Sequence, residues 1–150
     1  MADHPLGNAR IVQIGIVVSD IEAKAKAWAD VFAMPVPEVR LTDPLELAPT
    51  RYCGEPSPGR AKLAFFHFEN LDVELIEPVG GPSTWRDQLE AHGDSVHHIA
   101  FRIQAMGDKL AYLETKGVPL VQRGEYKGGR YAYTDGSAAL GVVLELLEND

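Results

Sequence analysis

Two short apolar patterns occur twice in this chain, and each copy carries a polar residue at the same place. The run VQIGIVV from Val12 is echoed by HHIAFRI from His97, and VELIEP from Val73 is echoed by LELLE from Leu144. Gln13 therefore corresponds to His98, and Glu74 to Glu145. An unpaired amide, imidazole or carboxylate is costly to bury in a hydrophobic strand. Its repetition at matching points asks for a common partner, and a shared cation is one.

The doubling extends beyond these strands. Behind Asp20, a helix-capping residue type, Ile21, Ala25, Trp28 and Phe32 recur at helical spacing. Met106, Leu110 and Leu113 repeat the arrangement, and Gly117 supplies the left-handed residue that ends a helix. Ile21 and Met106 stand at the same offset from Gln13 and His98, and Pro35 and Pro119 follow almost in step. Strand-like segments then come in threes: 38–42, 63–68 and 72–77, and again 118–123, 130–134 and 140–147.

The order βαβββ, twice, predicts an α+β fold of two modules, about 10–78 and 95–148, in a single domain. Whether the modules pair within one chain or across a dimer is open at this level. Between them, Gly80-Gly81-Pro82 breaks the chain, and Thr84 to Asp87 reads as a capping box opening a short helix that turns Trp85 and Leu89 inward and closes at Gly93. The segment 43–60, rich in Pro and Gly, reads as a binding loop or lid.

A chain of 150 residues with 45% hydrophobic and 24% charged residues can bury a core of its own. The net charge of -8, with no Lys/Arg block, disfavours nucleic acid as a partner. The single Cys53 excludes an internal disulfide and a Cys-rich zinc site. The start lacks the pattern of a signal peptide, and no apolar run is long enough to span a bilayer, so a cytoplasmic protein with no membrane partner is expected.

Residues two apart on a strand share a face, so Gln13 goes with Gly15 and Val17, and His98 with Ala100 and Arg102. Small neighbours leave room beside the polar heads. His97, of opposite parity, reads as structural. Taken singly, each polar residue has a bland explanation: a structural Gln, a hydrogen-bonded His, a Glu on the wet side of an alternating strand. Taken jointly, Gln13, Glu74, His98 and Glu145 form a ligand set for Zn, Ni, Co, Mn or Mg, with positions left for water or substrate oxygens. Tyr131 and Tyr133 share one strand face, as cross-strand aromatic pairs or as substrate contacts. Arg123, Lys127 and Arg130 nearby can take an anionic tail.

These motifs, VQIGIVVSDIE, VELIEP, GDSVHHIAFRI from Gly93 and LGVVLELLE from Leu140, resemble those of the vicinal oxygen chelate superfamily. The resemblance covers about 10–148 and is nearest to the branch of methylmalonyl-CoA epimerases and glyoxalase I relatives. It implies paired βαβββ modules holding a divalent ion through the four residues above. Gln13 stands where many members have His, although Gln occurs there in some glyoxalase I enzymes. A second departure concerns the epimerases, which carry a basic Glu where this chain has Ser57-Pro58-Gly59. Glu55 is the nearest acid.

The implied activity is metal-dependent removal of a proton α to a carbonyl, as in an epimerase, isomerase or lyase. Glu145 is the clear base, with Glu55 and His67 as candidate seconds, and Arg130, Tyr131, Tyr133 and His67 as candidate substrate contacts. Acyl-CoA or a thiol adduct is the expected substrate class, and a homodimer through edge strands or helix faces the expected assembly. Two other classes compete: a non-catalytic, resistance-type binding protein of the same fold, and a dioxygenase. Gln13 disfavours the dioxygenase because it breaks a two-His, one-carboxylate triad.

Overall fold

The computed structural model describes residues 3–150. Its ten strands form one curled sheet in the order β2-β5-β6-β1-β7-β10-β9-β8-β3-β4. The first module consists of β1 (Gln13–Val17), α1 (Ile21–Phe32), β2 (Arg40–Leu41), β5 (Arg60–His67) and β6 (Asp72–Val79). The second consists of β7 (Ser95–Arg102), α3 (Met106–Thr115), β8 (Leu120–Tyr126), β9 (Gly129–Thr134) and β10 (Val143–Asn149). They join inside the chain, because β1 pairs antiparallel with β7. Each of these central strands has its own module's last strand on the other side, in parallel.

Helices α1 and α3 cover the convex face of their modules. Val73 and Leu75 of β6 pack with Ile21, Ala25 and Ala29 of α1, while Leu144 and Leu146 of β10 pack with Met106 and Leu113 of α3. Period-two alternation then sends Glu74 and Glu145 to the opposite, concave face. The later Glu of each repeat has another duty. Glu77 accepts a hydrogen bond from the Ile21 backbone N–H at the start of α1, and Glu148 does the same for Met106 at the start of α3. Asp20 caps α1 as its side chain predicts, accepting from Ala23 N.

Three local expectations need correction. The helix α2 (Thr84–His92) is capped by Ser83, whose hydroxyl accepts from Arg86 N, one residue earlier than the Thr84 capping box. The last strand begins at Val143 and not at Leu140, because Ser137–Leu140 forms a short helix, α4, that ends on the left-handed Gly141. The segment 43–60 is not only loop. It contains the hairpin of β3 (Arg51–Tyr52) and β4 (Glu55–Pro56), turned by Cys53 and Gly54 with φ of 52° and 83°. Positive φ at both central residues is the geometry of a two-residue hairpin turn, which the Pro and Gly content obscures.

That hairpin leaves the first module and pairs with β8 of the second, with Tyr52 opposite Gln122. The Tyr52 hydroxyl donates to Asp87 of α2, which ties the crossing segment down. A third core cluster joins the modules where Val17, Ala61, Ile76, Trp85 and Tyr133 meet. Both sheet ends, β2 and β4, are two-residue strands and offer little ladder to another chain. No helix among the described residues is long and apolar enough to cross a membrane.

Candidate metal centre

Strand register decides which polar residues meet. Gly15 of β1 stands between Glu74 on its parallel side and His98 on its antiparallel side. Ala100 of β7 stands between Gln13 and Glu145 in the same way. Two cross-strand rows therefore run side by side, each with a small residue in its middle, and four polar heads converge above them. The small centre is required: a Cβ on Gly15 would lie 2.0 Å from His98 Cε1. Gly15 is what lets the imidazole lie across β1.

All four side chains are buried, with His98 fully enclosed. His98 Nε2 lies 2.9 Å from Gln13 Oε1, 2.9 Å from Glu145 Oε2 and 3.7 Å from Glu74 Oε1. Burial keeps the His98 ring neutral, its pKa lowered to about 3, so the contact with Glu145 is not an ion pair. Burial also pushes both carboxyls above the ordinary carboxylate range. The charge of Glu145 adds to the effect on Glu74, while the Tyr133 hydroxyl opposes it at Glu145. Neither acid has a Lys or Arg within ion-pair distance among the described residues, and the more distant charge of Arg102 lowers Glu145 only in part.

Glu145 Oε2 is the telling atom. It is buried and receives no hydrogen bond, its approach to Nε2 falling outside hydrogen-bond geometry. A buried acceptor left without a donor is expensive. The ligand atoms of Glu74, His98 and Glu145 all lie within 4.8 Å of one another, a spacing that one divalent ion can bridge. Such an ion would satisfy Oε2, use the Nε2 lone pair, and favour the charged form of both carboxylates. With the Gln13 oxygen the set offers one nitrogen and three oxygens, which fits a borderline to hard divalent ion.

Gln13, Glu74 and Glu145 line a cavity of about 630 Å³, and His98 is enclosed beside them without reaching it. Trp85, Tyr131 and Tyr133 wall one side, and Ala48 and Thr50 of the crossing segment contribute to its lining. The Tyr133 hydroxyl accepts from Trp85 Nε1 at 3.1 Å, and the Tyr131 hydroxyl accepts from Gln122 Nε2 at 3.0 Å. Burial raises the pKa of both phenols, Tyr131 to about 12, so they stay protonated at neutral pH.

The remaining sequence candidates lie elsewhere. Glu55 is exposed on the outermost strand β4 and does not line the cavity, because hairpin pairing with β3 carries it to the far edge of the sheet. His67 is exposed at the end of β5, 2.7 Å from Asp72, and also stays outside the cavity. Arg130 is held by Glu148 and Asp150 and does not line it either.

Sequence reasoning missed Trp85 as a wall residue, Gln122 as the support of Tyr131, and above all His97. Register shifts between Gly15 and Ile16: Gly15 pairs with His98 and Ile16 with Val96, so His97 is an extra, unpaired residue. The β-bulge brings its ring to the same side as His98, with 2.8 Å between the two Nδ1 atoms. Strict parity is thus the wrong rule at this one position. The His-His doublet was the only visible signal.

A family model described as Glyoxalase/Bleomycin resistance protein/Dioxygenase superfamily matches residues 12–134. The chain belongs to this superfamily. Membership agrees with the resemblance of the four strand motifs. An uncharacterised protein of Bacillus subtilis (strain 168), YqjC, is 32% identical over 92 residues, which span 59% of this chain and 66% of that protein. A hypothetical protein from Bacillus halodurans C-125 superposes with a TM-score of 0.65 at 19% identity, covering 94% of both chains. Methylmalonyl-CoA epimerase from Mycobacterium tuberculosis gives 0.63 at 19% identity, covering 94% of this chain and 88% of its own. A variant of the Streptomyces coelicolor methylmalonyl-CoA epimerase, in complex with 2-nitronate-propionyl-CoA, gives 0.62 at 22% identity over 94% of both. These structures share the superfamily fold with this chain.

Proposed function

We propose that the protein is a divalent-metal-dependent enzyme that removes a proton from a carbon next to a carbonyl. Gln13, Glu74, His98 and Glu145 hold the ion, and Glu145 takes the proton. The observation that carries the reading is Glu145 Oε2, a buried carboxyl oxygen without a donor, aimed at the point where the other three ligand groups converge. When bound, a divalent ion supplies Lewis acidity, polarising the carbonyl oxygen and stabilising the charge left by the departing proton.

The chain's own residues supply the rest. Glu145 is the base, and its Oε2 would accept the proton from the α-carbon while Gln13, Glu74 and His98 would hold the ion. Glu74, on the other side of His98 Nε2, is the other carboxyl in the convergent group among the described residues. With Glu55 at the outer edge, we assign a second acid-base step to Glu74, the carboxyl that converges with Glu145, rather than to Asp43, Asp72 or Glu125 elsewhere in the lining, and one-carboxylate shuttling of an isomerase type needs no second group. Trp85, Tyr131 and Tyr133 exclude water from one wall. Arg102 lines the cavity with no carboxylate in ion-pair contact among the described residues, its charge reaching Glu145 from a distance, which suits a substrate with an anionic end. An acyl-CoA or a thiol adduct meets that description, and the ligands of the epimerase structures support using acyl-CoA as a probe. A homodimer belongs to the same reading, and light scattering at micromolar concentration tests it.

The deciding experiment follows α-proton exchange in heavy water, by proton NMR, on metal-loaded protein with methylmalonyl-CoA and with a thiohemiacetal of an α-ketoaldehyde. Deuterium should enter one of them. Glu145→Gln at saturating metal should slow the exchange by about 10²-fold or more. Metal-loaded protein that binds such compounds without exchange would make it a non-catalytic binding protein of the same fold.

A further inference from the structure

The proton transfer leaves one buried group unused: His97, with Thr84 behind it. The bulge in β7 sets the two imidazoles nearly perpendicular, with ring centroids 5.0 Å apart, and Tyr133 closes over both at 4.9 and 5.1 Å. His97 Nδ1 faces His98 Nδ1 at 2.8 Å, and His97 Nε2 faces the Thr84 hydroxyl at 3.0 Å. Both rings are almost without solvent contact, at 1% and 0% exposure. Burial disfavours the charged form of each.

Two neutral imidazoles that meet Nδ1 to Nδ1 are bound by a simple rule. One must donate and the other accept, so they are opposite tautomers. Two arrangements satisfy both contacts of His97, the one to His98 Nδ1 and the one to Thr84. In the first, His98 carries its proton on Nε2 and donates to Gln13 Oε1, His97 donates from Nδ1, and the Thr84 hydroxyl donates to His97 Nε2. In the second, His98 donates from Nδ1 to His97, and His97 donates from Nε2 to the Thr84 oxygen. A hydroxyl both donates and accepts, so Thr84 serves either one. The pair carries two ring protons throughout, and no charge changes.

Only the second arrangement leaves the Nε2 lone pair of His98 free. We infer that His97 is a positioning residue for the ion: it supplies the acceptor that holds His98 in the Nδ1–H form, and Thr84 lets the pair exchange tautomers when an ion binds. The inference rests on His98 being an ion ligand, as proposed above. Outer partners of this kind orient a metal-bound histidine and raise its basicity.

The test uses protein with 15N-labelled histidine and long-range 1H–15N correlation spectra, with zinc as the probe. In metal-free protein the two rings should show opposite tautomers. Saturation with zinc should place the His98 proton on Nδ1 and the His97 proton on Nε2. By calorimetry, His97→Phe should weaken zinc binding about 10- to 100-fold. His97→Asn, which restores an acceptor oxygen, should recover most of that loss, whereas a purely space-filling role would favour Phe.

Identical tautomers on the two rings in metal-free protein would overturn the inference, and so would His97→Phe binding zinc as tightly as the parent. If His97→Phe does not fold, the tautomers of the parent with and without zinc decide alone. A parent that binds no zinc, nickel or cobalt sinks the metal-centre reading and this inference with it. A parent that binds an ion with His98 still protonated on Nε2 sinks only the inference.

Discussion

The first strands of the two modules occupy equivalent places and do unequal work. On β1 the inward positions are Gln13 and Gly15, a neutral amide and a gap. On β7 they are His98 and Ala100, with the extra residue His97 forced in beside them by a bulge. Elsewhere the halves match closely: Glu74 and Glu145 point into the cavity, and Glu77 and Glu148 cap the two helices. Symmetry places the four polar side chains, and the departures from it make room for one imidazole and give it a partner.

The largest test of this contrast exchanges the small residues. Gly15→Ala puts a methyl into the His98 ring, so it should abolish stoichiometric ion binding and destabilise the fold by about 1–3 kcal/mol. Ala100→Gly on the opposite strand should cost only about 0.5–1 kcal/mol and keep the ion. Calorimetric titration and urea melts measure both. Parent-like affinity in Gly15→Ala would remove the basis of the contrast.

Next come the matched carboxyls. Glu74→Gln and Glu145→Gln should each weaken divalent binding at least tenfold, about 1.4 kcal/mol. Only Glu145→Gln should also remove proton exchange once metal is saturating. Equal loss of exchange in the two variants would mean that the halves share the base.

The pH dependence of the metal-free protein comes third. The buried carboxyls hold protons in the folded state that they release on unfolding, so their contribution to stability falls as pH rises from the ordinary carboxylate range through their raised pKa values. His97 and His98, depressed by burial, act oppositely and weaken the fold as pH falls below about 6.5. Between pH 6.5 and 8 the carboxyls act alone. Thermal melts with chelator should therefore show falling stability, at most about 1.4 kcal/mol per pH unit for each carboxyl still protonated. Zinc should reverse the trend, since it binds the deprotonated pair. A flat profile with chelator would mean that the two acids are already ionised.

The smallest effect should come from the acid on the hairpin of the crossing segment. Glu55→Gln should leave zinc affinity and proton exchange within twofold of the parent, and stability within about 0.5 kcal/mol. Loss of exchange with ion still bound would bring Glu55 back as an acid-base group.

Much of this arrangement was legible in the sequence, because strands have a fixed two-residue period and helices a fixed turn. Gln13, Glu74, His98 and Glu145 could be aligned by offset alone, and the apolar residues on either side of each Glu fixed which way it faces. Ile21 and Met106 could be matched for the same reason. What depends on local covalent geometry and a hydrophobic pattern is written in the order of residues.

Tertiary structure decided the rest. That the modules join within one chain follows from β1 pairing with β7, a contact between residues some 85 positions apart that no local pattern encodes. Glu55, close to the expected base in sequence, was carried away when its hairpin paired with β8. His97 came to the site through one skipped register, which shifts a side chain to the other face without altering the apolar pattern around it. Long-range pairing chooses among the partners that local propensity leaves open, and here it determined which acids line the cavity and which second histidine packs against His98.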